Sequence, residues 1–170
     1  MFYLREVKLS DANDLFSITS NDNVTNSLNW YSHQTIEETK FIITNLYLSK
    51  KDTGLPNSYA IVLKASEKVI GIIDYHYDKN TPAIGYFLSD EYWGLGIMSH
   101  AVSQLIKIGF EEYLFERVII AHFDDNLRSK GVIIKNGFKY LHSEQQNIKN
   151  VLRNIMYYQL TRSDYFEEQS

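Results

Sequence analysis

Two glycines one residue apart stand at Gly94 and Gly96, inside Tyr92-Trp93-Gly94-Leu95-Gly96-Ile97-Met98. There an apolar strand-like run ends and a long apolar-periodic segment begins. A tight turn opening a helix leaves unpaired backbone N–H groups at the helix start, and with the helix dipole they attract a phosphate or pyrophosphate. On its own Gly-x-Gly also marks turns that bind nothing. Groups able to take a proton lie close by in sequence. Asp90 and Glu91 adjoin the junction, and Asp74 and His76 share one face of an earlier strand by period-two alternation. For a half-buried carboxylate, a structural hydrogen bond or a contact to a substrate amine is the competing reading. Further on, Asn126-Leu127-Arg128-Ser129 opens a short helical segment; an N-cap at Asn126 and an exposed Ser129 would account for these residues without function.

Other chemistries find no support. With no cysteine there is no thiolate nucleophile, thiolate metal site or disulfide. His33, His76, His100, His122 and His142 are scattered without ligand spacing, so no metal is expected. Neither a G-x-S-x-G elbow nor a P-loop occurs.

The elements that must position these residues follow from periodicity. Phe2 to Val7 reads as a strand, Ser10 as the N-cap of a helix carrying Leu15, Phe16 and Ile18, and Asn21 to Asn29 as a polar connection. Thr35 and Glu38 have capping-box spacing before a helix near 36–49, and residues 50–57 form a loop. Tyr59 to Leu63 and Val69 to Tyr75 form a hairpin, and Ala83 to Leu88 delivers the chain to the glycines. The long helix keeps Ile97, Ala101, Val102, Leu105 and Ile108 on one face. Val118 to Ala121 is a buried strand, and the next helix stops at Asn136-Gly137. Phe138 to Leu141 and Ile155 to Leu160 are the last strands, and Gln145 to Arg153 is a loop. Residues 1–161 form one domain; 162–170 form a polar, frayed tail. The order β-α-α-β-β-β-α-β-α-β-β indicates a mixed α/β domain of α+β type. A doubly wound dinucleotide fold would instead alternate strictly, with G-x-G-x-x-G near its first strand.

The 170 residues, 44% apolar and 14% aromatic, suit a single well-buried core. A net charge of −4 argues against a nucleic-acid surface and suits a cationic or amine substrate. No segment approaches a membrane-spanning length, and Met1 to Glu6 lacks the pattern of a signal peptide, so a cytoplasmic protein with no membrane partner is expected. The aromatic content is compatible with a homodimer.

Together, the strand, W-G-L-G-I-M, long helix, buried strand, N-L-R-S and G-F resemble the GCN5-related N-acetyltransferase (GNAT) superfamily over essentially the whole chain. Y-W-G-x-G-I-M after G-Y-F-L, with Leu4-Arg5, Asp11-Ala12 and Asn29-Trp30, is similar to its ribosomal-protein N-acetyltransferase (RimJ/RimL-like) branch. The resemblance implies a single domain with a mixed, mostly antiparallel six- to seven-stranded sheet flanked by about four helices. It implies acetyl-CoA as cosubstrate and direct transfer to a primary amine: the N-terminal α-amine of a ribosomal or other protein, or a polyamine, amino acid or antibiotic.

The same resemblance assigns the pyrophosphate to the backbone of Trp93, Gly94, Leu95, Gly96, Ile97 and Met98, and the pantetheine arm to Phe87 and Leu88 at a splayed strand and to Asn126. Trp93 replaces the family's basic or amide residue. The general-acid tyrosine of many relatives is replaced by Ile133, which leaves the thiolate to Ser129 or to no protein acid, since a thiolate leaves readily. Asp74, His76, Asp90 and Glu91 all stand as bases. The missing tyrosine also admits a non-catalytic CoA-binding sensor as the rival reading.

Overall fold

The computed structural model describes all 170 residues. Seven strands form one sheet: β1 (Phe2–Glu6), β2 (Tyr59–Leu63), β3 (Val69–Asp78), β4 (Thr81–Leu88), β5 (Arg117–Phe123), β6 (Lys139–Ile148) and β7 (Val151–Thr161). Their order is β1-β2-β3-β4-β5-β7-β6, and only β4 and β5 run parallel. Six helices accompany them: α1 (Ala12–Thr19), α2 (Asp22–Thr25), α3 (Ile36–Ile42), α4 (Ile97–Lys107), α5 (Leu127–Lys135) and α6 (Arg162–Glu167). This is the mixed, mostly antiparallel α+β architecture expected, with two short helices, α2 and α6, added.

The sheet is covered on both faces. One core joins Ile61, Ile73, Tyr75 and Ile120 to Met98, Val102 and Leu105 of α4, Ile133 of α5 and Tyr165 of α6. The other packs Leu15 and Ile18 of α1 and Ile43 beyond α3 on Ala60, Val62, Ile72 and Phe87. Burial of both faces explains why β3 reads as a continuous apolar run instead of an alternation.

Beyond α4 the helix widens over Ile108–Glu112, where the Tyr75 hydroxyl donates to the Leu105 carbonyl at 3.0 Å. Gly109 permits this approach, because a Cβ there would lie 2.4 Å from the tyrosine oxygen.

Several boundaries differ from expectation. Ser10 does not cap α1; instead Asp11 accepts the Lys8 N–H at 2.8 Å and two Arg5 N–H groups at 2.9 and 2.7 Å. The loop expected over Gln145 to Arg153 is paired backbone, with Gln145 opposite Asn154 and Ile148 opposite Val151. Its turn is Lys149-Asn150, both in the left-handed region at φ 53° and 63°. The expected frayed tail contains α6, whose Tyr165 stacks on Phe110 and whose Arg162 guanidinium bonds the Phe110 carbonyl. That aromatic contact within a polar stretch holds the segment on the core.

Candidate active site

β4 and β5 are paired only at Ala83 with Ile119 and Ile84 with Ile120. Beyond that point each stays bound to its other neighbour, β4 to β3 through Leu88 and β5 to β7 through Phe123, so the two part like the arms of a V. Two facing strand edges are left with unsatisfied backbone groups, a template for an extended ligand that pairs as a strand would. The gap opens into a cavity of about 690 Å³, walled by β4, β5, the start of α4 and α5.

At one end lies the glycine turn. Gly94 and Gly96 have φ of 74° and 77°, and a Cβ at Gly94 would meet nothing within 4 Å, so the turn is an open cradle. The first intrahelical bond of α4 is donated by the His100 N–H to the Gly96 carbonyl at 3.2 Å. The N–H groups of the first turn before it, Ile97 to Ser99, are the orphan donors of the helix start. Trp93 donates from its indole to the Leu88 carbonyl at 3.0 Å, which ties the turn to the end of β4. Over its ring, 3.5 Å from the centroid, lies the Arg128 guanidinium. Arg128 and Lys135, both of α5, line this end of the cavity and make it cationic.

Midway, Asn126 accepts the Ser129 N–H at 3.2 Å, capping α5. Ser129 is buried at 8% exposure and turns into the cavity, where its hydroxyl meets that of Tyr86 at 2.6 Å. Burial pushes the Tyr86 phenol up to about 12, against the hydrogen bond to Ser129. The far end is lined by His76, Asp78, Gln146 and Tyr157, with Val24 of α2 and Ser27, Leu28 and Asn29 of the α2–α3 connection. Lys149, at the tip of the β6–β7 hairpin, donates to the carbonyls of Thr25 at 2.9 Å and Trp30 at 3.2 Å, joining hairpin and connection across this end.

Phe87, Leu88, Trp93, Gly94, Gly96, Ile97, Met98, Asn126 and Ser129 therefore share one cavity. Four expected residues, Leu95, Glu91, Asp74 and Asp90, do not line it. The Leu95 side chain is 67% exposed, so only its backbone could serve the cradle. Glu91, with a side chain 68% exposed, points toward Lys68 at 4.0 Å and away from the gap. Asp74 is buried and paired with the Lys50 ammonium at 3.0 Å, with the Ser58 hydroxyl at 3.4 Å. Burial raises its carboxyl above the usual range while Lys50 pulls it back. Alternation placed Asp74 on the right face of β3 but could not reveal Lys50, which arrives from the loop after α3.

Asp90 is likewise engaged, accepting from the Asn23 side chain at 2.9 Å. Of the four base candidates only His76 reaches the cavity; its imidazole lies over Gly85, where a Cβ would be 3.3 Å from the ring. Tyr86 and Arg128 were missed as site residues. Tyr86 reads as an ordinary strand aromatic, and Arg128 as a solvated helix charge. No cluster of three or more His, Asp or Glu side chains is arranged to hold a metal ion.

The family model of the acetyltransferase (GNAT) domain matches residues 2–139. The chain belongs to the GNAT superfamily and is an acyltransferase of the N-acetyltransferase type. A curated relative, the uncharacterized N-acetyltransferase YoaA of Bacillus subtilis (strain 168), is 29% identical over 158 residues, covering 91% of this chain and 84% of the relative. Among solved structures, the RimL ribosomal L7/L12 α-N-protein acetyltransferase in complex with coenzyme A superimposes with a TM-score of 0.83 at 21% identity, covering 94% and 93% of the two chains. The spermidine N-acetyltransferase of Vibrio cholerae, in complex with CoA and spermine, gives 0.81 at 12% identity, covering 97% and 98%. At these identities the two solved structures share the fold with this chain.

Proposed function

We propose that the V between β4 and β5 holds acetyl-CoA and that this chain moves its acetyl group directly to a primary amine. The observation that carries the reading is the polarity of one continuous cavity. A glycine cradle, a helix start, Arg128 and Lys135 make an anion site at one end, while His76 and Asp78 make the other end suited to an amine. In this reading the N–H groups near Gly94 to Met98 take the pyrophosphate, and Arg128 supplies the charge that Trp93 lacks. The open edge from Gly85 to Leu88 and the Asn126 side chain pair with the pantetheine amides.

Acetyl-CoA supplies an activated carbonyl and a good leaving group. The residues do the rest. His76 takes a proton from the amine nitrogen as that nitrogen bonds to the carbonyl carbon, and later yields it to water. Ser129 donates a hydrogen bond to the sulfur, on which the electron pair of the broken C–S bond remains. The products are an N-acetylated amine, a CoA thiolate and one released proton.

For the acceptor we favour the N-terminal α-amine of a protein, on the RimJ/RimL-like W-G-L-G-I-M segment and the fold shared with RimL. A polyamine is the second reading, on the unpaired Asp78 at the cavity wall and the fold shared with the spermidine enzyme. The test is release of CoA thiol from acetyl-CoA across a panel of N-terminal peptides, polyamines and amino acids. Release with peptides alone is the expected result; release with spermidine alone selects the second reading. Binding of acetyl-CoA without release for any amine would leave a sensor and overturn catalysis.

A further inference from the structure

Ser129 and Tyr86 reach each other from opposite walls of the gap, the serine from the first turn of α5 and the tyrosine from the middle of β4. Their hydroxyls are 2.6 Å apart, and neither oxygen has another hydrogen-bond partner in the protein. The serine backbone is fixed independently, by the Asn126 cap on its N–H. Its hydroxyl rotor is therefore not fixed by the cap, and the phenol is the one protein group placed to set it.

A serine hydroxyl has one hydrogen to give and two lone pairs to receive. If the serine donated to the tyrosine, that hydrogen would be spent. With the more acidic phenol as donor, the serine oxygen accepts and its own hydrogen turns into the cavity. Ile133, at 0% exposure, offers no competing polar atom where many relatives carry their tyrosine.

We propose that Tyr86 is a positioning residue for acetyl transfer: its hydroxyl donates to Ser129 Oγ and thereby aims the serine hydrogen at the sulfur of the departing thiolate. The proposal rests on the reading of the cavity as an acetyl-CoA site. It gives the chain a phenol acting one atom removed from the sulfur, and it requires no proton to leave either hydroxyl. The raised Tyr86 phenol stays protonated through the neutral range, so the donor is present wherever the enzyme works.

The experiment is a double-mutant cycle on steady-state kinetics with Tyr86→Phe, Ser129→Ala and the pair, using the amine that turns over best, with melting temperatures measured alongside. Tyr86→Phe keeps the ring and its packing. The expected result is a kcat about five- to tenfold lower in Tyr86→Phe, a KM for acetyl-CoA changed by less than about twofold, and a double variant no slower than Ser129→Ala. An unchanged kcat in Tyr86→Phe overturns the proposal. So does a loss in the double variant equal to the product of the two single losses, since Tyr86 would then act independently of Ser129. A wild-type protein that binds acetyl-CoA but turns over no amine overturns the transfer reading itself, and this proposal with it.

Discussion

At the scale of single residues, two carboxylates near the site, Asp74 and Asp90, are engaged by other side chains, Lys50 and Asn23. Asp74 sits beside the Lys50 ammonium, which also donates to the Tyr75 carbonyl, so the pair anchors the loop after α3 to the middle of β3. Removing one member of a buried pair leaves the other charge unsolvated. Asp74→Ala is accordingly expected to lower unfolding free energy by about 3 kcal/mol in urea titration while leaving kcat within about twofold, since the carboxylate does not reach the cavity. A catalytic Asp74 would show the opposite split. Ser129 follows a different logic: by spacing alone it is one more polar residue on a helix, and only the family resemblance singles it out; the cap at Asn126 fixes its backbone, and its partner Tyr86 comes from a distant segment. Local spacing identifies the cap; it cannot identify a hydroxyl brought in by another strand.

Among the elements, those with one apolar face were legible and those without one were not. Leu105 and Ala101 on α4, and the cap and Gly137 stop of α5, follow directly from periodicity and turn chemistry. The outer halves of β6 and β7 did not, because Ser143 to Asn147 and Leu152 to Asn154 lie on an exposed ribbon whose two faces are both wetted. Lys149-Asn150 is also a weaker turn signal than Asn-Gly. This ribbon is tied down by charge: Glu144 accepts from His142 at 2.9 Å, Gln146 at 3.0 Å and Lys79 at 3.2 Å, which holds its carboxyl down at about 2 from the usual 4.5. A depressed acid contributes stability that is fully present above 4.5 and is lost as pH falls toward 2. Protection of backbone amides in the β6–β7 hairpin, taken as exchange relative to the intrinsic rate at each pH, is therefore expected to fall over that interval more than in α4. Glu144→Gln should abolish the difference; a hairpin whose protection is indifferent to this substitution would contradict the role given to Glu144.

For the molecule as a whole, the architecture explains why the site lies where it does. Two cores clamp the sheet from both faces, so the strands cannot flatten, and the single parallel contact between β4 and β5 ends after one pair of residues on each strand. The V is therefore held open by the fold, with the cradle of α4 at one end and the hairpin bridged by Lys149 at the other. The most direct measurement is calorimetric titration of acetyl-CoA into the wild-type protein and into Gly96→Val. Gly96 has φ 77° and a Cβ there would come no closer than 4.0 Å to His100, so the variant has room to fold but strains its turn by about 1–2 kcal/mol and crowds the cradle. The account predicts one equivalent bound by the wild type and affinity at least about tenfold weaker in the folded variant. Wild-type protein that takes up no acetyl-CoA at about 1 mM, or a variant that binds it equally well, would contradict the account.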